Sequence, residues 1–159
     1  MGNIFNSDFL EFIAALNQSQ AKYILIGGYS VVIHGYPRTT GDLDIWVECT
    51  EANYQRILKA FEVFRLPVFD MNLKNFLDQE NLDVFRFGRP PVAIDIITKV
   101  NGLEFSQAYP ESKSREFEGV SITYLSLQDL IKTKKATGRP KDLNDIENLQ
   151  NFNNREAQD

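Results

Sequence analysis

The two most apolar strand-like runs of the chain each carry an acid: Asp44 in "GDLDIWVE" and Asp95 in "VAIDIITKV". An unpaired carboxylate inside a strand is costly, so any fold built on these runs has to offer each acid a cation or solvent. Side chains alternate along a strand, which places Asp42, Asp44 and Trp46 on one face and Leu43, Ile45 and Val47 on the other. The apolar pattern assigns the second face to the core. Two carboxylates on one face stand about 7 Å apart at the backbone, near enough to serve one cation or two neighbouring cations.

With 11 aspartates in 159 residues, an Asp-x-Asp pair arises by chance nearly once, and an acid beside Gly41 also suits a turn. Asp95 gives the pair its meaning. If the two strands are neighbours, three carboxylates from separate segments meet, the oxygen set that hard divalent cations require. The alternative is that Asp95 faces solvent on an open side of the sheet.

Around these runs, strands and helices interleave. Phe9, Phe12, Ile13 and Leu16 recur at helical spacing after Ser7, so a capped amphipathic helix is expected there. "KYILIGG" reads as a strand, "YSVVIHG" as a helix ended by Gly35 and Pro37, and "EANYQRILKAFEVF" as a helix with Tyr54, Ile57, Leu58 and Phe61 inward. A short helix is expected at "LKNFLDQ" and a strand at "LDVFRFG", with Gly88-Arg-Pro-Pro as the turn into "VAIDIITKV". "REFEGVSITYL" reads as a hairpin turning at Glu118-Gly119, and two helices, "SLQDLIKTKKAT" capped by Ser126 and "KDLNDIENLQNF", close the chain. The fold class is therefore α+β: a small mixed sheet flanked by helices, one domain over 1–159 with a C-terminal helical segment at 126–155.

Composition narrows the function. A net charge of −5, from 17 basic and 22 acidic residues, disfavours binding nucleic acid by bulk electrostatics. One cysteine and one histidine leave neither an internal disulfide nor a zinc site of His and Cys. No secretory pattern opens the sequence and no apolar run approaches the roughly 20 residues of a membrane span, so a cytoplasmic protein is expected.

Upstream of the acids, "LIGGYSVV" sets Gly27 and Gly28 at a strand-to-helix junction, with Tyr29 and Ser30 in the first turn. Glycines let backbone approach a ligand and free N–H groups at a helix start attract phosphate, although a glycine pair equally marks a tight turn. Neither a Walker loop nor a Gly-x-Gly-x-x-Gly fingerprint is present. Downstream, "KTKKATGRPK" carries five cations and no acid; Lys132, Lys135, Arg139 and Lys141 suit a triphosphate or simply a solvated helix end. Asp142 and Asp145 suit scaffold pairing with Arg139 or Arg38, and His34 suits a structural role.

Taken together, "ILIGGYSVVIHGYPRTTGDLDIWV" followed by "AIDIIT" resembles the DNA polymerase beta-type nucleotidyltransferase superfamily, and more narrowly the small bacterial AbiEii-type toxin nucleotidyltransferases. The resemblance rests on a glycine pair after a strand, then Arg38, Thr40, Asp42 and Asp44 in an Arg-x-Thr-x-Asp-x-Asp order, then Asp95. It implies that Asp42 and Asp44 hold two Mg²⁺ ions carrying a nucleoside triphosphate, with Asp95 sharing the second ion and activating the attacking hydroxyl. Gly27, Gly28, Tyr29, Ser30, Arg38, Lys132, Lys135 and Arg139 become the nucleotide-binding candidates. The acceptor is an RNA such as tRNA, a protein or a small molecule, and a toxin–antitoxin or abortive-infection setting is implied.

Two other readings compete. Phosphatases of the haloacid dehalogenase type also use Asp-x-Asp, but at the end of an apolar strand, whereas here "IWV" follows the acids. A catalytically inactive, antitoxin-like partner-binding protein on the same fold is the other, and three intact acids argue against it. Oligomeric state is not legible.

Overall fold

A computed structural model describes residues 5–37, 40–89 and 92–158. Arg38 lies outside them. Six strands form one mixed sheet in the order β3-β4-β2-β1-β6-β5, with β1 at Tyr23–Ile26, β2 at Leu43–Val47, β3 at Val84–Arg89, β4 at Val92–Ile97, β5 at Lys113–Phe117 and β6 at Val120–Tyr124. β2 runs parallel to β4 and antiparallel to β1, and β1 runs parallel to β6. The helices are α1 (Ser7–Gln18), α2 (Gly27–Ile33), α3 (Glu51–Phe64), α4 (Leu73–Leu77), α5 (Phe105–Glu111), α6 (Leu127–Thr137) and α7 (Pro140–Gln158). None is long and apolar enough to cross a membrane. The α+β architecture expected from the sequence is thus observed.

Both faces of the sheet are covered, which corrects the expectation of a single core face. Tyr23, Leu25, Leu43, Ile45, Val47, Ile94 and Ile96 point to one side and pack with Phe12 and Leu16 of α1 and Ile57 and Phe61 of α3. The alternate residues Ile24, Ile26 and Trp46 point to the other side, into a smaller cluster with Ala108 of α5, Leu130 of α6 and Leu149 of α7. Asp44 and Asp95 therefore lie on the side of the smaller apolar layer, with Asp95 buried, while Asp42 before β2 keeps about a third of its side chain exposed.

The capping chemistry matches the sequence with small shifts. Asn6, not Ser7, caps α1, its carboxamide accepting from Phe9 N at 2.8 Å, and Ser126 caps α6 by accepting from Asp129 N at 3.2 Å. Gly88 and Arg89 belong to β3 and not to the turn that follows, whose prolines lie outside the described residues. Helix α5 has no counterpart in the sequence reading: its N-cap, Glu104, makes no side-chain cap bond, and Pro110 sits in its last turn, so the usual signals are missing.

Candidate active site

The parallel pairing of β2 with β4 sets Asp44 opposite Asp95, each on a central strand and on the same face. Asp42 immediately precedes β2. Asp95 is buried at 7% exposure, so it needs a charged partner, and the antiparallel β3–β4 hairpin supplies one by pairing Arg86 opposite it. The guanidinium Nε donates to Asp95 Oδ1 at 2.9 Å and Nη2 donates to Asp95 Oδ2 at 3.0 Å and to Asp42 Oδ2 at 2.7 Å. One cation thus bridges two of the three acids. Its pKa rises through the bonds to Asp95 and the charges of Asp95 and Asp42.

Asp44 is treated differently. Burial first, then the charge of Asp95, a hydrogen bond shared with it and the charge of Asp42 push the Asp44 carboxyl up to about 7, against a smaller pull from Arg86. A proton kept on Asp44 lowers the repulsion among the three acids that the single cation Arg86 leaves uncompensated. Among the described residues no three acidic, imidazole or thiol groups converge on one point as a finished metal cage. Mg²⁺ asks for less, because it keeps several waters and is held by one or two carboxylates plus substrate phosphates. The donor set of hard oxygens, left one charge short of full ionisation, fits such an ion.

Gly27 explains how the acid is held. It follows the last residue of β1, Ile26, which pairs with Asp44, and its backbone takes φ +72°. A Cβ at this position would be driven into the Asp44 carboxylate. The glycine thus answers two demands, a left-handed turn and close approach of backbone to the acid. Gly28 is half-buried in the first turn of α2.

Not every sequence candidate reaches this place. Tyr29 is buried at 6% exposure, stacked on Phe5 at 4.8 Å and set edge-on to Phe9 at 5.7 Å, so its ring belongs to the larger core. Ser30 is fully buried and donates its hydroxyl to Gly27 O at 2.7 Å, which closes the turn and leaves that proton unavailable to a phosphate. Lys132 is exposed and lines a shallow hollow beside α5 with Glu104 and Glu111; Lys135 is exposed on α6. His34 is structural as expected: its Nε2 lies 2.6 Å from Leu125 O, and burial lowers its pKa.

A cleft of about 360 Å³ does open beside the acids, lined by Gly27 and Asp44 on one side, Lys99 at the rim, and Thr133, Lys134 and Arg139 from the C-terminal helices. Lys134, not its neighbours, is the inward cation. Its ammonium sits 2.9 Å from Asp145 and 3.5 Å from Asp142, all three buried, which ties α6 to α7. Arg139 grips Asp142 with Nε at 2.7 Å and Nη2 at 3.1 Å while its side chain stays 65% exposed, the scaffold pairing expected for Asp142. Burial pushes the Asp142 carboxyl up, but the hydrogen bonds from Arg139 and the charges of Lys134 and Arg139 outweigh it and hold it below the usual range.

The sequence reading missed Arg86, Lys99 and Lys134. Arg86 had a signal: Phe85 and Phe87 are buried on the main-core side, so the residue between them shares the face of Asp95.

Residues 7–155 match the protein family described as "Nucleotidyltransferase of unknown function (DUF6036)". No curated protein shows significant sequence similarity to the chain. Among solved structures, the lincosamide antibiotic adenylyltransferase LnuA with lincomycin bound is similar in fold at a TM-score of 0.53 and 16% identity, covering 94% of this chain and 98% of that one. A Thermotoga maritima protein classed as a nucleotidyltransferase is similar at a TM-score of 0.53 and 13% identity, over 92% of this chain and 91% of its own.

Proposed function

Because the chain belongs to this nucleotidyltransferase family, we propose that it transfers a nucleoside monophosphate from a Mg²⁺-bound nucleoside triphosphate to a hydroxyl of a small-molecule acceptor. The observation that carries the reading is the in-register pair Asp44 and Asp95, with Gly27 closed against Asp44 and Asp42 joined to the set through Arg86. Two Mg²⁺ ions, when bound, would stabilise the attacking oxygen and the leaving pyrophosphate.

In this reading Asp42 and Asp44 would hold the metals. Asp95 would help to hold them, and takes the proton of the attacking hydroxyl on a carboxylate oxygen. The in-line step forms a bond between the acceptor oxygen and the α-phosphorus as the bond to the pyrophosphate oxygen breaks. The Gly27–Gly28 turn admits the phosphates near the backbone. Lys99 and the donors of Arg139 turned away from Asp142 offset the triphosphate charge at the cleft rim. The nucleotide and the acceptor meet across the cleft between Asp44 and α6.

A small acceptor is favoured for two reasons. The chain is acidic, at −5, and the cleft is modest, at about 360 Å³. The solved neighbour named for adenylyl transfer to lincosamide antibiotics supports an acceptor of that size class.

Calorimetry with each of the four NTPs plus Mg²⁺ tests the first half of the proposal, and binding by none would sink it in favour of an inactive partner-binding protein. Incubation with α-labelled NTPs and fractionated cell extract tests the second. Label in the small-molecule fraction is expected; label on tRNA or on a protein would move the reading to the AbiEii-type toxin nucleotidyltransferases and a toxin–antitoxin setting.

A further inference from the structure

Two buried side-chain polar atoms among the described residues have no hydrogen-bond partner: Trp46 Nε1 and Thr98 Oγ1. Buried polar groups are nearly always paired, so each asks for an explanation. Both residues line the same hollow, of about 340 Å³, at the C-terminal ends of β2 and β4. The hollow is separate from the cleft at Asp44, from which the Lys99–Asn101 segment divides it as a common wall.

Its size argues against a single structural water. At ~30 Å³ per water in the liquid it has room for about 11 molecules, and it falls within the roughly 300–1,000 Å³ range of small-ligand sites. Its chemistry is selective. An indole N–H only donates, and a hydroxyl both donates and accepts. Lys99 and Gln107 add donors at the rim and Glu104 a carboxylate acceptor that suits a hydroxyl or amide N–H, while Leu103 and Phe105 give an apolar wall, Phe105 meeting the Trp46 ring edge-on at 5.2 Å.

We infer that this hollow is a second binding site, for a small neutral molecule whose oxygens accept from Trp46 and Thr98 while its carbon skeleton rests on Leu103 and Phe105. Sugars and carboxamides share that chemistry. The buried position of the two polar atoms requires the lining to part slightly as the ligand seats. Nothing in the inference depends on nucleotidyl transfer, since none of the three acids lines the hollow.

Trp46 is the chain's one tryptophan, so its indole N–H gives a single, assignable NMR cross-peak. The test titrates the ¹⁵N-labelled protein with D-ribose for the sugar arm and acetamide for the carboxamide arm. A saturable shift of the indole peak with either probe is expected, and the responding arm identifies the source. Thr98→Val, which keeps the shape and removes the hydroxyl, should weaken that response at least tenfold. Gln107→Ala, an exposed change that spares the core, should weaken it about threefold. Asp44→Asn should leave it unchanged, so failure of the transferase reading cannot be mistaken for failure here. An indole peak that moves with neither probe, or whose only contacts are magnetisation transfer from water, overturns the inference. So does a Thr98→Val protein that responds like the parent.

Discussion

Arg86 and Asp95 face each other across the β3–β4 hairpin in a two-point ion pair, Nε to Oδ1 at 2.9 Å and Nη2 to Oδ2 at 3.0 Å, and the same Nη2 reaches Asp42 at 2.7 Å. The guanidinium occupies both oxygens of Asp95 and one of Asp42, oxygens that the proposed metals would also need. Replacing it with Gln removes the resident positive charge and leaves three acids to repel one another. The Arg86→Gln protein is expected to melt at a lower temperature than the parent in EDTA, and to recover most of the difference in Mg²⁺. Thermal melts with and without Mg²⁺ check this; equal Mg²⁺ responses in both proteins would show that Arg86 and the metal do not share these carboxylates.

Asp44→Asn keeps the shape of the side chain and removes its charge. Loss of one electrostatic contact to the reacting groups reduces turnover on the order of 10²–10³-fold. Binding of Mg²⁺ with NTP should weaken in parallel while the far-UV circular dichroism stays that of the parent. Retained turnover would remove Asp44 from the metal set.

Gly27→Ala tests the close approach of backbone to acid. The left-handed backbone at φ +72° costs an alanine roughly 1–2 kcal/mol, and its methyl would push the Asp44 carboxylate aside. A displacement of about 1 Å at a reacting group can lower turnover roughly 10²-fold, so the activity loss should far exceed the stability loss. Steady-state kinetics beside urea denaturation separates the two.

The raised Asp44 carboxyl, at about 7, sets a pH dependence in the metal-free protein. Its ordinary value is near 3.8, so the folded state holds this proton more tightly than the unfolded chain. Its contribution to stability is fully present below about pH 4 and is lost as the pH rises towards 7. Metal binding requires the ionised acid, so Mg²⁺ affinity should rise over the same interval, with proton release on binding. Calorimetry in two buffers of different ionisation heat measures that release; a proton count of zero at pH 6 would contradict the assignment.

Lys134 and its neighbours on α6 separate a structural cation from solvated ones. Lys134→Met removes the buried cation shared by Asp142 and Asp145 while Arg139 keeps its grip on Asp142, and should cost about 3 kcal/mol, the low end of the usual penalty for breaking a buried ion pair. Lys132→Ala and Lys135→Ala, both on exposed positions, should stay within about 0.5 kcal/mol of the parent and leave nucleotide affinity unchanged. Guanidinium denaturation of the three variants settles the comparison.

Most of the elements, α5 apart, and the shared face of Asp42 and Asp44 were legible because they rest on local rules, whereas the pairing of β2 with β4 stood only as a condition. Apolar alternation marked β2 and β4, spacing at three and four residues marked α3, and Ser126 marked the start of α6. What the residues alone leave open is which long-range partner meets each side chain. Tyr29 beside a glycine pair looks like a ligand contact until Phe5 and Phe9 close on its ring. Lys134 is indistinguishable from Lys132 and Lys135 in a basic run until α7 brings Asp142 and Asp145 to it. Arg86 was closer to reach, since the hairpin that pairs Arg89 with Val92 also pairs Arg86 with Asp95 by simple counting.

The sheet order has a consequence for how the guanidinium departs. Asp44 and Asp95 are stitched into β2 and β4, each flanked by a strand on either side, whereas Arg86 rides on β3 at the margin with a neighbour on one side alone. Margins open before interiors do. A transient peeling of β3 would withdraw the positive charge like a removable plug while Asp44 stays between β1 and β4 and Asp95 keeps its pairing to β2, with Phe85 and Phe87 uncovered as the cost.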